Sequence, residues 1–414
     1  MKAVGIIAEY NPFHNGHLWH VSQAKQRSGC DCCVAVISGQ FTQRGEPAAF
    51  DKWTRASMAI DGGVDLVLEL PTVFAVRSAQ YFATAGVRLL QSLGVVSHLA
   101  FGAETPDLDA LRQAAAYRTD QLGEALQTRL AAGVTYAAAL TDCLAAAGAE
   151  SAILVQPNNI LAVEYLRAIS SFAPELAPVV IGRRDSRYHD SEIASPFASA
   201  SAIRQALQNG AEAALQLALP ASSLSLIRQR TADGSGPVTY EALAAPLLYK
   251  LRTVRLEELA ALPDMAEGLH HRLAAAALSA TTLEELLAAT KSKRYTRTRL
   301  QRLLIYSLLG LSRRQTDQFD QCGPLYARVL AFNATGRLLL KAINMRSAIP
   351  VVIKTARALN SRERSRQADA SLAARMLAFD TLASDIYALA APSPRQRSGA
   401  RDFRQSPLYL EQRN

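Results

Sequence analysis

The chain has 414 residues, 49% hydrophobic and 20% charged, the balance of a soluble globular protein long enough for two or three domains. Its net charge of +9 points to an anionic partner. No apolar run is long enough to span a membrane and no leader pattern precedes the first strand, so a cytoplasmic protein with no membrane contact is expected. The five cysteines (Cys30, Cys32, Cys33, Cys143 and Cys322) are an odd number without zinc-ligand spacing, which suits reduced thiols better than a disulfide framework.

Val4, Ile6 and Ile7 mark a buried strand that Asn11-Pro12 breaks. Asn15 is then the expected N-cap of a helix over about 16–25, whose first backbone N–H groups are free for a phosphate. His14 and His17 flank Gly16 on this turn. The glycine admits a flat ring, and both imidazoles can donate hydrogen bonds to phosphate oxygens as negative charge moves onto them. Strands near 3–8, 33–37, 65–69 and 98–101 alternate with helical stretches at 16–27, 51–61 and 78–93, which predicts a parallel α/β sheet with crossover helices. Ligands are expected beyond the strand C-termini, where His14-Asn15-Gly16-His17, Ser38-Gly39 and Gly102 fall. Further helix is predicted at 107–117, 121–131, 134–148 and 159–171.

The α/β domain, 1–210, closes near Gly210. From Ala211 the strand signals fade and Ala/Leu-rich helical patterns take over, predicting a helical domain over 211–390. Asp264, Thr282 and Asp317 are expected helix starts and Gly310 a stop. Val351-Val352-Ile353 is an apolar run short of a firm strand assignment. Turn formers and charge over 391–414 predict a flexible basic tail. The segment 291–314 carries eight Lys/Arg and no acid, with Tyr295 and Tyr306 interleaved. On a helix, Arg294, Arg297 and Arg302 would share a side while Leu300, Leu303 and Leu304 face the core. A solvated helix face accounts for that pattern equally well; Arg337, Lys341, Arg346 and Lys354 are candidates to extend it.

The strand, His-x-Gly-His turn and helix resemble the nucleotidyltransferase superfamily with a HIGH-type motif, which includes class I aminoacyl-tRNA synthetases and small adenylyltransferases. Ser38-Gly-Gln-Phe-Thr-Gln-Arg-Gly-Glu-Pro47, Asp51-Lys-Trp-Thr-Arg-Ala56, Gly63-Val-Asp-Leu-Val-Leu-Glu-Leu-Pro71, Phe101-Gly-Ala-Glu104, Gln156-Pro-Asn-Asn-Ile-Leu161 and Tyr188-His189-Asp190 follow in order. Together they resemble the tRNA(Met) cytidine acetate ligase family, closely at the N-terminal end and more loosely to about Ala348. The resemblance implies a Rossmann-like nucleotidyltransferase (HUP-type) sheet domain followed by a mainly helical tRNA-binding domain. It also implies an ATP-dependent, carbon–nitrogen-bond-forming ligase that activates acetate as acetyl-adenylate. The acetyl group would pass to N4 of the wobble cytidine of elongator tRNA(Met). Magnesium is expected with the phosphates, without a dedicated protein cage.

By the same resemblance His14 and His17 are catalytic, and the ATP site takes in Ile7, Ala8, Glu9, Tyr10, Asn11, Pro12, Phe13, Asn15, Gly16 and Leu18 around them. Gly102 would let backbone approach the nucleotide, though a simple turn glycine is the competing reading. Asn158 would read adenine or ribose, against an Asn-rich turn capped by Asn159. Arg183 would neutralise polyphosphate, with Arg184 less secure because paired arginines are often surface pairs. Ser199-Ala-Ser-Ala-Ile-Arg204 looks like the superfamily's second signature, with Ser199, Ser201 and Arg204 on the β- and γ-phosphates and Ser201 standing where threonine is expected. A plain helix N-cap is compatible with that role. Lys291, Lys293, Arg294, Arg297, Arg299 and Arg302 would contact tRNA. His98 and His189 read as structural histidines. A small-molecule adenylyltransferase would share the site without needing the basic segment, an acetate ligase for a thiol carrier would need another acceptor domain, and a noncatalytic RNA-binding protein would lose the nucleotide site.

Overall fold

The computed structural model describes residues 2–116, 123–132, 134, 136–146, 156–184, 193–266, 268–292, 294–360 and 370–411. Lys293 and the Tyr188-His189-Asp190 motif lie outside the described residues. Five parallel strands build the N-terminal part of the sheet: β1 (Ala3–Ala8), β2 (Cys32–Ser38), β3 (Leu66–Leu70), β4 (Val96–Ala103) and β5 (Ala177–Gly182). Their order is β5-β4-β1-β2-β3, so the chain reverses direction across the sheet between β1 and β4. The inner strands are buried on both faces, as a parallel sheet covered by helices requires. Ile7, Val36 and Leu68 enter one core, and Ile6, Ile37 and Val67 the other.

Three strands from the expected helical and tail segments complete the sheet. β6 (Ala327–Phe332) runs antiparallel to β3 with Glu69 opposite Arg328. β7 (Val351–Val352) and β8 (Leu408–Tyr409) pair with the two ends of β6. Residue 210 therefore does not divide the sheet, and Leu300, Leu303 and Leu304 share one continuous core with Val34 and Val36 of β2. Helices among the described residues of 200–322 pack onto this body.

The tail is also ordered where described. Asp402 is buried and its Oδ1 lies 2.7 Å from Lys52 Nζ, while Lys52 and Arg328 both reach Glu69, at 2.8 and 3.0 Å. Arg328 also pairs with Asp402. Two buried cations need two carboxylates, and Asp402 brings the second one from a segment that reads as mobile because its charges look solvated. Helix boundaries shift for local reasons. Thr282 caps the helix Leu283–Thr290 and Gly310 ends Arg297–Leu309 in the left-handed region. Asp264 instead sits at φ +57°, before a helix that starts at Leu269, and Asp317 lies inside Arg313–Cys322, which Ser312 caps.

Candidate active site

A cavity of about 290 Å³ opens at the C-terminal ends of β1, β4 and β5, on the reversal between β1 and β4. The turn after β1 forms its floor. Tyr10 takes φ +50° there, a conformation uncommon outside glycine, and its ring lies edge-on to Phe13 and His17 at 4.9 and 4.8 Å. The helix that follows is Asn15–Ser28, and its N-cap is His14 rather than Asn15. His14 Nδ1 accepts from Gly16 N–H at 3.0 Å, and His17 Nδ1 accepts from His14 N–H at 3.3 Å. Asn15 sits one position too late to cap, and its amide reaches outward to the carbonyls of Pro196 and Leu217 at 3.2 and 3.0 Å.

These two backbone bonds fix the chemistry of the imidazoles. A ring whose Nδ1 accepts carries its proton on Nε2, so each histidine presents one N–H donor. Burial pushes the His14 pKa down to about 3, with Arg183 and Arg204 adding to the shift. Burial and the neighbouring His14 hold His17 well below the ordinary imidazole range as well. Both rings are therefore neutral donors, 3.8 Å apart between centroids.

Around them the cavity is cationic and short of hydrogen-bond partners. Arg183 and Arg184 line it, Arg184 lying 3.8 Å over the Trp19 ring. Trp19 Nε1 and Gln43 Nε2 are buried with no partner among the described residues, and both residues line the cavity. On the opposite wall Glu104 accepts from the backbone N–H of Asn158 and Asn159 at 3.3 and 2.9 Å, capping the helix Pro157–Phe172. Asn158 also donates its amide to Glu104 Oε1, and its carbonyl oxygen has no partner among the described residues. Asn159 is fully buried and spends its carbonyl on Thr105 N–H. A Cβ on Gly102 would meet nothing nearer than Arg183 Cγ at 3.7 Å, so protein packing does not require a glycine there.

The residues expected at the ATP site thus fall into two groups. Ile7, Ala8, Glu9, Tyr10, Asn11, His14, Gly16, His17, Gly102, Asn158, Arg183 and Arg184 line the cavity. Pro12 and Phe13 turn into the core, and Leu18 faces outward. Ser199 caps the helix Ala200–Gln208 through Ala202 N–H and bonds Ser201 Oγ at 3.0 Å, while Arg204 donates to Asn11 O at 3.0 Å. None of these three is among the cavity's lining residues, which at this helix are Ala198 and Ala200.

Sequence reasoning passed over His20, Gln43, Arg44 and Arg55. His20 follows His17 by one helical turn, a spacing that places both on one face. Arg55 is fully buried and donates to the carbonyls of Phe50, Glu9, Ser38 and Gly39, tying the turn after β1 to the loop after β2.

The basic segment is less free than its charge suggests. Arg297 forms a bidentate pair with Glu284 at 2.8 and 2.7 Å, and Arg299 donates to Asp264 O at 2.7 Å. Arg294 precedes the helix, which starts at Arg297 after the Thr296 cap, so it does not share the helical side expected with Arg297 and Arg302. Lys291 and Arg294 are exposed and Arg302 is half-buried. His98 lies at the end of β4 away from the cavity, against Ser97 Oγ at 2.9 Å.

The family model described as HIGH Nucleotidyl Transferase matches residues 1–402. A tRNA(Met) cytidine acetate ligase from Syntrophomonas wolfei is 40% identical over 99% of both chains, and one from Acetivibrio thermocellus is 35% identical over 99% of this chain and all of its own. The crystal structure of Thermotoga maritima TmcAL without ligand superposes with a TM-score of 0.91 at 31% identity, covering 99% of this chain and 100% of that one. The same protein bound with alpha-thio ATP gives a TM-score of 0.90 at 30% identity over the same shares. With a mixed, mainly parallel sheet, a reversal-point cavity and two neutral histidines already in place, these likenesses show that the chain belongs to the HIGH nucleotidyl transferases and, among them, to the tRNA(Met) cytidine acetate ligase family.

Proposed function

We propose that this chain joins acetate to ATP as acetyl-adenylate, releasing pyrophosphate, and then passes the acetyl group to N4 of the wobble cytidine of elongator tRNA(Met), releasing AMP. The observation that carries the reading is the pair of neutral imidazoles, both lining the cavity and each held by a backbone N–H on Nδ1, which leaves the proton on Nε2. A carboxylate oxygen of acetate attacks the α-phosphorus as the bond to pyrophosphate breaks. Negative charge grows on the phosphate oxygens, where His14, His17 and the Arg183 guanidinium supply fixed donors. Arg204 backs the turn by holding Asn11 O, and Ser199 and Ser201 stand at the N-terminus of its helix. The Asn158 carbonyl oxygen suits an adenine amino group. Magnesium would be held mainly by the polyphosphate, with Glu9 as the carboxylate among the described lining residues, its Oε1 fixed by Gln43 N–H at 2.7 Å. In the second step the cytidine amine attacks the acetyl carbonyl and AMP leaves with the electrons of the broken bond. No helix among the described residues is long and apolar enough to cross a membrane. A tRNA-modifying role would be carried out in the cytoplasm.

The test is incubation of the protein with ATP, labelled acetate and total tRNA. Label is expected in N4-acetylcytidine of elongator tRNA(Met), and acetate-dependent exchange of pyrophosphate into ATP is expected without tRNA. His17→Ala should slow that exchange by about 10²–10³, the usual cost of one donor to a developing oxyanion. Unchanged exchange in the variant would remove the histidine assignment, and exchange without labelled tRNA would remove the acceptor.

A further inference from the structure

A second cavity, about 260 Å³, lies beyond the loop 38–51 from the first. The two share this loop: Gln43 and Arg44 line the first, Gln40 and Asp51 the second. The floor of the second is buried and partly aromatic, from Gln40, Trp53, Ser384 and Tyr387. Three guanidinium groups, Arg230, Arg401 and Arg404, stand around it with Ser235 and Ser398.

The charge there is unbalanced. Asp51 is the one carboxylate among the described lining residues, and its oxygens are already engaged: Oδ1 accepts from Trp53 and Thr54 N–H, and Oδ2 takes the Thr54 hydroxyl and Arg401 at 3.2 Å. Arg401 lies 4.5 Å over the Trp53 ring, which fixes the guanidinium at the mouth. Arg230 pairs with Asp233 through one terminal nitrogen at 3.1 Å, but its Nε is buried with no partner among the described residues. Arg404 donates only to Gly399 O at 2.7 Å among its described bonds. Such forks match phosphate oxygens two at a time.

We infer that this cavity is a phosphate site for the RNA backbone, holding the tRNA strand while its target base is presented to the first cavity. The inference rests on the proposed acceptor being a tRNA. A backbone is favoured over a small free anion because the positive charge continues past the cavity: Arg395 and Arg397, both exposed, precede Arg401 and Arg404 on the same short segment. A linear polyanion uses such a row, whereas a single phosphate does not. The link to the first cavity is rigid. Arg55 fastens both ends of the intervening loop, to Ser38 O, Gly39 O and Phe50 O, and the turn after β1 at Glu9 O. On its other side the same loop meets the basic helix Arg297–Leu309, where Gln301 donates to Glu46 at 2.9 Å. A base must leave its stack to react, and phosphates held one loop away restrict where it can swing.

The test uses the full chain with Arg230→Gln/Arg404→Gln, leaving Arg401 to pair with Asp51, and Arg230→Lys/Arg404→Lys as a charge-retaining control. Filter binding of elongator tRNA(Met) across a salt series should show the Gln pair at least tenfold weaker at low salt. Its slope of log affinity on log salt should be shallower by roughly 1.5 units, at about 0.7–0.9 per phosphate contact. The Lys pair should keep the slope. Acetate-dependent pyrophosphate exchange without tRNA reads the first cavity alone and should stay within about twofold in both. Parental affinity and slope in the Gln pair would overturn the inference, as would a second bound ATP per chain that the Gln pair loses. A parent that fails to acetylate tRNA at all sinks the functional reading instead, because that failure precedes any variant.

Discussion

Gly16→Ala should separate the proposed catalysis from folding, because the space a Cβ would need is filled by the His14 ring. Built on the Gly16 backbone, that atom falls 2.8 Å from His14 Cε1 and 3.0 Å from Nδ1. Carbon contacts settle near ~3.5–4.0 Å, so the imidazole must retreat by roughly 0.7 Å. The same nitrogen accepts the Gly16 N–H at 3.0 Å, so this retreat lengthens the bond that fixes the tautomer and moves Nε2–H off the phosphate. A misplacement of about 1 Å at a reacting centre costs on the order of a hundredfold, or ~2.7 kcal/mol of barrier. Stability should hardly change. Glycine to alanine within a helix gains roughly 0.5–1 kcal/mol, which offsets the weakened bond of about 1 kcal/mol. Acetate-dependent pyrophosphate exchange and a urea melt on the same preparation give both numbers. Exchange within threefold of the parent would refute the steric argument, and a loss of several kcal/mol in the melt would show that the glycine serves the fold instead.

Two further outcomes follow from buried charge. Asp402→Ala removes one carboxylate from a buried cluster and leaves Lys52 and Arg328 with Glu69 and the neighbouring Asp380; it should cost about 3–5 kcal/mol by denaturant melt, and a loss below 1 kcal/mol would mean that Asp380 or water makes up the charge. The His14 pKa of about 3 makes folding pH-dependent: between there and 6.5 the unfolded chain takes up a proton the folded chain refuses, so stability falls as pH drops below 6.5. His14→Gln should lose less stability than the parent between pH 6.5 and 5, by roughly 1.5 kcal/mol, and equal losses would show that this ring titrates normally in the folded state.

Local signals carried the nucleotide half well because its elements declare themselves. β1 is an apolar run ended by Asn11-Pro12, and the His-x-Gly-His turn follows directly. The N-cap was misplaced by one residue because Asn is the better intrinsic cap, while His14 caps only through a ring geometry that needs Gly16. β6 escaped notice because Arg328 interrupts its apolar pattern, and that arginine makes sense only opposite Glu69 and beside Asp402, contacts distant in sequence. The basic segment shows the converse. Its charge is plain in the sequence, but the engagement of Arg297 by Glu284 belongs to a different helix and is visible only in the fold.

The antiparallel seam between β3 and β6 also sets the timing of assembly. A growing chain has all five parallel strands by Gly182, yet β3 keeps an open edge until Ala327–Phe332 is made, and Lys52 waits for Asp402. At about 5–20 residues per second, that interval is on the order of ten seconds or more. During it the nascent protein offers an unpaired strand to its neighbours on the polysome, the circumstance in which wrong partners are captured. On that waiting strand Glu69 already has Lys52 as its partner, so the edge carries an ion pair rather than a plain apolar face until Arg328 and Asp402 complete the cluster.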